Sequence, residues 1–392
     1  MNLCVVSFKE CWQSTDGRWF SSGGFPLQMA AIASLFDRAT VVVTRRPPME
    51  GGIALPEDAC VVPLLRPQGY GWRRTLFVVA LLPYYILRIG NEVARADVVH
   101  TPLPGDIPLI GMLVAVLFRK RVIARYGGSW QNTSQTTTMN RITRALMKVL
   151  AGGHNVMLAT GTSSDAPAPQ MHWVFATSLT EKELESIQPN LRNGLHTPPE
   201  LVYVGRLSPE KGVEVLLRAF RQALDVLPDE HRPNLTVVGD GPQRRYLEKL
   251  VSALQCEERV RFRGQLDRRE LSVELEGKDL AVLPSLTEGF AKASLEALAH
   301  GLPIIATNVG SAAAIAGKPG ERGWIVPPGD PDALARALVE VLTDCVDWGT
   351  LRRRCYAYAR QFTLEAWAQE IRFLSEDQWG ISLKGPRDTP CT

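Results

Sequence analysis

Pro284-Ser285-Leu286-Thr287-Glu288-Gly289-Phe290-Ala291-Lys292-Ala293-Ser294-Leu295-Glu296-Ala297-Leu298-Ala299-His300-Gly301-Leu302-Pro303-Ile304-Ile305-Ala306 is the stretch whose reading decides the fold. Leu280 to Leu283, just before it, is a short apolar run of the buried-strand type, and Pro284 with Ser285 stops it. Helix formers fill Ser294 to His300. Gly301 then takes the position just past a helix end and Pro303 follows, the punctuation of a helix C-terminus. Ile304 to Thr307 opens the next strand, so the unit is strand, loop, helix, strand. Glu288 falls in the loop at the carboxyl end of a strand, where open α/β sheets bind ligands. Glu296 comes about two turns later on the helix. The backbone N–H groups of Gly289, Phe290, Ala291 and Lys292 surround that helix's N-terminus, a place suited to an anion.

Leu201 to Gly212 repeats the logic. A buried strand feeds Gly205, a loop follows with Arg206 and Lys211, and a helix starts at about Val213. Two cations at a strand–helix junction suit a diphosphate, through a bidentate guanidinium and a point-charge ammonium. Leu235 to Pro242 is again a strand running into a glycine-rich turn, and Val260 to Gln265 is the following strand and loop. In the first half, Leu3–Ser7, Val41–Thr44, Val61–Leu65, Asp97–His100, Val122–Arg125, Val156–Ala159 and Trp173–Ala176 read as strands. Phe8 to Ser22 reads as a polar connection with interspersed Trp12, Trp19 and Phe20. It ends at Gly23-Gly24 before a helix over 27–36, and paired glycines there allow close backbone approach to a ligand.

The string Pro-Ser-x-x-Glu-Gly-Phe, followed by Leu-Glu-Ala-Leu-Ala-x-Gly-Leu-Pro-Ile-Ile-Ala, resembles the E-x7-E signature of the family-four retaining glycosyltransferases. Gly205-Arg206-Leu207 through Lys211-Gly212, Val238-Gly239-Asp240-Gly241-Pro242 and Gly323 to Asp330 are similar to further motifs of that family. The resemblance is strong over 201–372 and diffuse over 1–195. It implies a GT-B fold: two Rossmann-like α/β domains facing a cleft, with a C-terminal helix crossing back to the first. It also implies that Arg206 and Lys211 bind the phosphates of a nucleotide-sugar donor, most naturally a UDP- or GDP-sugar, and act with Glu288 as the catalytic set. Glu288 would meet hydroxyls of the donor sugar and Glu296 those of the ribose. Gly289 to Lys292 would cradle the diphosphate, Gln265 would lie at the base, and Gly24 near the diphosphate and acceptor. Family enzymes need no metal, the two cations doing that work. The chain departs from the pattern at Tyr126, which stands roughly where many members carry a histidine beside the transferred sugar. It departs again at Gly310 to Ile315, which lacks an expected glutamate.

The domains expected are 1–195, 196–360, a returning helix over 361–374 and a polar tail from 375, with 188–200 as linker. The formal charge of +3 signals no nucleic-acid partner. It is uneven, since residues 1–195 carry 19 Lys and Arg against 13 Asp and Glu and the rest 25 against 28. A basic first half suits an anionic acceptor, an anionic membrane surface or merely a solvated face. Arg141, Arg144 and Lys148, at helical spacing, face either a phosphorylated acceptor or water. The helix over 75–93, with Pro83 as a kink, reads first as packed on the sheet; its flanking Trp72, Arg73, Arg74, Tyr84, Tyr85 and Arg88 leave peripheral membrane contact as the other reading. His100 ends a strand, either toward a ligand or as a structural residue. The seven cysteines show no metal-type or CxxC spacing and read as reduced thiols. With no signal-peptide pattern at Met1, the expected place is the cytoplasm or the inner membrane face. The function expected is transfer of a sugar from a nucleotide sugar to a glycan or lipid-linked acceptor. A sugar-nucleotide epimerase of the same fold and a non-catalytic nucleotide-sugar binder are the alternatives.

Overall fold

Strand alternation builds the first sheet. In β1 (Asn2–Gln13), Leu3 and Val5 face one apolar layer while Cys4 and Val6 face the other, because successive side chains of a strand point to opposite sides. The computed structural model describes residues 1–385 except 50, 70, 131, 133–135 and 164. Over these the chain divides into two units: Met1–Ser178 together with the segment from Leu364, and Leu179–Thr363.

The first unit continues with β2 (Trp19–Ser21), α1 (Phe25–Ala33), β3 (Arg38–Arg45), β4 (Ile53–Ala54), β5 (Cys60–Leu64), α2 (Trp72–Ala80), α3 (Leu82–Arg95), β6 (Val98–Leu103), α4 (Asp106–Leu117), β7 (Arg121–Tyr126), α5 (Thr138–Leu150), β8 (Asn155–Thr160) and β9 (Met171–Val174). Its parallel sheet runs β5-β3-β1-β6-β7-β8-β9, with β2 and β4 added antiparallel at the far end of β1. Phe25, Met29 and Ile32 of α1 fill one side, and Tyr85, Ile89 and Val93 of α3 with Met112 of α4 fill the other.

Two local expectations change here. Residues 8–22 do not form a simple connection. The first strand passes an irregularity between Val6 and Glu10 and pairs on to Gln13, because Cys11 and Trp12 are buried and need a sheet to cover them. The single helix over 75–93 is two helices bent by 61° at Leu81. The break falls two residues before Pro83, whose ring cannot donate the helical hydrogen bond.

In chain order the second unit holds α6 (Glu181–Ser186), β10 (Glu200–Val204), α7 (Val213–Val226), β11 (Asn234–Val238), α8 (Arg244–Ala253), β12 (Val260–Gly264), α9 (Arg268–Glu276), β13 (Leu280–Leu283), α10 (Lys292–Ala299), β14 (Ile304–Thr307), α11 (Ala312–Ala316), β15 (Gly323–Val326), α12 (Pro331–Thr343) and α13 (Trp348–Ala359). Its sheet is wholly parallel in the order β12-β11-β10-β13-β14-β15.

The boundary lies at 178/179, not 195/196. Thr180 caps α6 in a reciprocal box with Glu183, and both carboxylate oxygens of Glu183 accept from Arg268 at 2.6 Å. Asn190 N donates to His300 O at 2.8 Å, and His196 N to Asp279 Oδ2 at 3.0 Å. The stretch expected as a linker is therefore folded surface of the second unit.

The last helix, α14 (Leu364–Trp379), packs in the first unit. Trp367 is fully buried in the layer with α1, and Trp379 Nε1 donates to His154 O at 3.1 Å. The tail expected from 375 begins later: Ser375 is buried in the helix and Leu383 is buried beyond it. Residues 386–392 lie outside the described residues.

Glu370 of α14 has its Oε2 buried without a partner, and burial pushes its carboxyl up to about 7. Between the unfolded value of 4.5 and that point, the unfolded chain releases the proton while the folded one keeps it. Stability from this group is therefore complete at low pH and lost as pH rises. Glu370→Gln should melt higher than the parent at about pH 8, with the gap closing toward about pH 4. A gap independent of pH in melting curves would contradict this account.

Candidate active site

The order of the second sheet makes β10 a divide. It pairs with β11 on one side and β13 on the other, so the loops leaving β10 and β13 part company there. Such a switch point is where open parallel sheets bind ligands. The β10 loop carries Arg206, a 3-10 turn over Pro209–Lys211, and Gly212 at the start of α7. The β13 loop carries Glu288.

The structure joins the two loops. Lys211 Nζ donates to Glu288 Oε2, Ser285 Oγ reaches the same oxygen at 3.4 Å, and Leu286 N donates to Glu210 O at 2.8 Å. Gly212 is left-handed at φ +65°, and a Cβ there would collide with Pro284 O. Gly239, at φ +132°, lies so close to Gly205 O that a Cβ would collide with it as well.

Beneath the β10 loop, Tyr203 Oη donates to Arg206 O at 3.0 Å, and a Cβ on Gly205 would sit 2.6 Å from that hydroxyl. Burial, then the charges of Glu288 and Glu210, push the Tyr203 phenol up. The Arg206 side chain is exposed above this anchored backbone.

The other expected residues spread around this point. Helix α10 starts at Lys292 with Ala291 as its cap residue and no capping side chain. The cap residue offers no side-chain acceptor, and Ser294 N donates to Ala291 O at 3.0 Å. Phe290 is buried, and Gly310 packs against the backbone of Glu288 and Gly289, with Ser311 Oγ 3.5 Å from Gly289 O. Glu296 lines a cavity of about 410 Å³ with Glu183, Arg268, Arg269, Ser272 and His300. Arg206, Lys211 and Glu288 do not line it. Burial pushes the His300 imidazole down, and its two nitrogens meet Glu296 O at 2.8 Å and Ser272 Oγ at 2.9 Å. Gln265 is exposed after β12, where Gly264 O accepts from Gly239 N at 2.8 Å.

In the first unit, Gly24 is the cap residue of α1 with φ −76°, which other residues adopt freely; the left-handed glycine is Gly23, at φ +71°. Tyr126 ends β7 only 1% exposed, with its ring edge-on to Trp130 at 5.6 Å. Arg144 does not face outward. It is buried, donates to Trp130 O and reaches Asn132 Oδ1 at 2.6 Å. Arg141 and Lys148 remain exposed, Lys148 over the Trp130 ring. The polar loop expected over 131–140 falls partly outside the described residues, and α5 begins within it at Thr138.

His100 is structural. Nδ1 lies 2.9 Å from Ile123 O, and burial plus the Arg125 charge push its pKa down to about 3, so it stays neutral. Among the described residues no group of His, Cys, Asp or Glu side chains could hold a metal ion. Sequence reasoning passed over Tyr203 and Ser285 as supports of the site. Their only signal was position, Tyr203 two residues before Gly205 and Ser285 at the strand end.

Losing the Tyr203 hydroxyl in Tyr203→Phe should lower unfolding free energy by about 1 kcal/mol. Gly212→Ala meets both a left-handed φ and Pro284 O, and should cost at least about 2 kcal/mol. Urea unfolding measures both. A Gly212→Ala protein as stable as its parent would contradict the close approach.

Residues 189–362 match the family described as glycosyl transferases group 1. An uncharacterized glycosyltransferase of Methanocaldococcus jannaschii is 31% identical over 178 residues, 45% of this chain and 43% of that protein. Arabidopsis thaliana sulfoquinovosyl transferase is 26% identical over 277 residues, 66% of this chain and 52% of that protein. The chain spans about half the length of the curated relatives it matches. Among solved structures, Anabaena HepE in complex with UDP-glucose is similar with a TM-score of 0.66 at 19% identity, over 95% of this chain and 98% of that one. That likeness is one of fold, and the fold is GT-B. Over residues 189–362, somewhat less than half of its length, the chain is similar to the glycosyl transferases group 1.

Proposed function

We propose that the protein is a retaining glycosyltransferase that moves a sugar from a UDP- or GDP-sugar to a glycan or lipid-linked acceptor, in polysaccharide or glycoconjugate biosynthesis. The observation that carries this reading is the Lys211–Glu288 contact at the switch point, with the exposed Arg206 on the same anchored loop. A cation poised on a carboxylate is a site set for two kinds of group. The diphosphate takes Arg206 and Lys211, and the sugar hydroxyls take Glu288. Glu296 accepts from ribose hydroxyls, and Gln265 lies at the base. The relative solved with UDP-glucose supports uridine as the base.

In the reaction the bond from the anomeric carbon to the diphosphate oxygen breaks, and the electron pair leaves with the nucleoside diphosphate. Arg206, Lys211 and the amides around Gly289 to Lys292 stabilise that charge as it forms, so that a divalent ion is not required. The acceptor hydroxyl attacks the same face of the sugar, and its proton passes to the leaving phosphate. Tyr126 is buried against Trp130 and offers no base in the place of the family's histidine. The place of action is the cytoplasm or the inner face of a membrane.

A panel of UDP-, GDP- and ADP-sugars should raise the melting temperature with one nucleotide class only, equally with EDTA present, since a ligand of the native state stabilises by mass action. Arg206→Ala should abolish that rise and lower kcat by about 100-fold or more. Nucleoside diphosphate should be released only when acceptor is present. Donor binding without any turnover would favour the non-catalytic reading, which the missing histidine keeps open. Absence of any shift would overturn the donor site itself.

A further inference from the structure

We propose that α2 and α3 form a face that docks on an anionic lipid bilayer. Helices in proteins draw most of their stability from packing an apolar face, yet none of the nine residues of α2 is buried. Phe77 and Val78 are half-buried, Val78 against the core, and the other apolar side chains are presented outward. Trp72 is 69% exposed, and Leu76 and Val79 are each 59% exposed, at i, i+4 and i+7 on one side of the helix. Helix α3 is apolar on two sides. Tyr85, Ile89 and Val93 are locked in the core, and Tyr85 Oη donates to Leu65 O at 3.0 Å, while Ile86 and Leu87 point to the exterior.

Charge selects lipid as the occupant. The two helices hold four arginines and one acid, Glu92, which already lies 3.7 Å from Arg95. Arg74 is spent on Asp106 through two 3.0 Å bonds. Arg73 and Arg88 are exposed beside the apolar residues. Next to Tyr84 of α3 lies a cavity of about 490 Å³ lined by Arg45, Arg46 and Arg66. Glu10 is the carboxylate that pairs there, with both Arg46 and Arg66. An apolar strip with a surplus of guanidinium groups beside it matches acyl chains beneath phosphate headgroups.

The pair lies in the membrane surface and does not cross it. Among the described residues no single helix is long and apolar enough to span; α2 and α3 together have the length and composition, but they are bent by 61° and a crossing would tear the inner side of α3 from the core. Docking of this face does not depend on the donor reading.

Full-length protein is sedimented with vesicles of phosphatidylcholine alone and of phosphatidylcholine mixed with phosphatidylglycerol, at low and high salt. The expected result is binding to the anionic vesicles at least about tenfold tighter than to the neutral ones and weakened by salt. Leu76→Ser/Val79→Ser/Leu87→Ser should lose it with an unchanged melting temperature, and Arg73→Glu/Arg88→Glu should lose the preference for anionic lipid. Arg206→Ala should bind vesicles like the parent, which separates this proposal from failure of the donor site. Equal sedimentation of parent and triple variant, or none by the parent, overturns the proposal. So does a parent dimer, without lipid binding, that the triple variant turns into monomer.

Discussion

The candidate site depends on backbones approaching closer than any side chain allows. Gly212 lies against Pro284 O and Gly239 against Gly205 O, both with left-handed φ. Gly241 is pressed on Leu207 O. These contacts lock the loops after β10, β11 and β13 into one body at the point where the strand order reverses. The ion pair between Lys211 and Glu288 follows from that locking. A salt bridge of two long side chains contributes little when it must order itself, but here the backbone beneath each partner is already held.

Polar groups beneath the sheets are treated in two ways. In the second unit, Asp279 is fully buried and satisfied, accepting from Arg352 at 2.9 Å, from Glu200 N at 2.9 Å and from His196 N at 3.0 Å. A buried charge persists only with such partners. In the first unit, Arg125 is buried with softer company. It donates to Gln28 Oε1 at 3.0 Å and stacks 5.3 Å from the Trp367 ring, and burial pushes its guanidinium down to about 10. Burial, with this charge beside it, keeps His100 neutral. This cluster joins β7 to α1 and α14, so the last helix is bound by chemistry as well as by apolar area.

Much of the second unit could be read from local pattern. The strand–loop–helix–strand reading of 280–307 holds in the structure, with α10 starting two residues earlier than Ser294 and Gly301 left-handed at the helix end, where a Cβ would sit 2.6 Å from Asn190 O. Such punctuation is local. It depends on φ and on missing N–H groups, and these belong to single residues. The domain boundary was not local. Pro and Gly between 188 and 200 look like a linker, and only bonds to Asp279 and His300, some 80 to 110 residues away, make that stretch part of a folded surface.

By itself, the order of residues determined the parallel α/β class, the glycines that permit close loops and the identity of the charged groups, because each is a property of a few neighbours. The tertiary structure alone decided which of those groups meet. It set Lys211 on Glu288, put Glu296 in the wall of a cavity with Arg268 and His300, and put Arg144 under Trp130 instead of in water. It also left α2 with no fully buried residue, only part of one side, at Val78, packing on the core. Amphipathic spacing shows that a helix has an apolar side, but whether protein lies against that side depends on where the sheet ends, and strand pairing over long sequence distances fixes that.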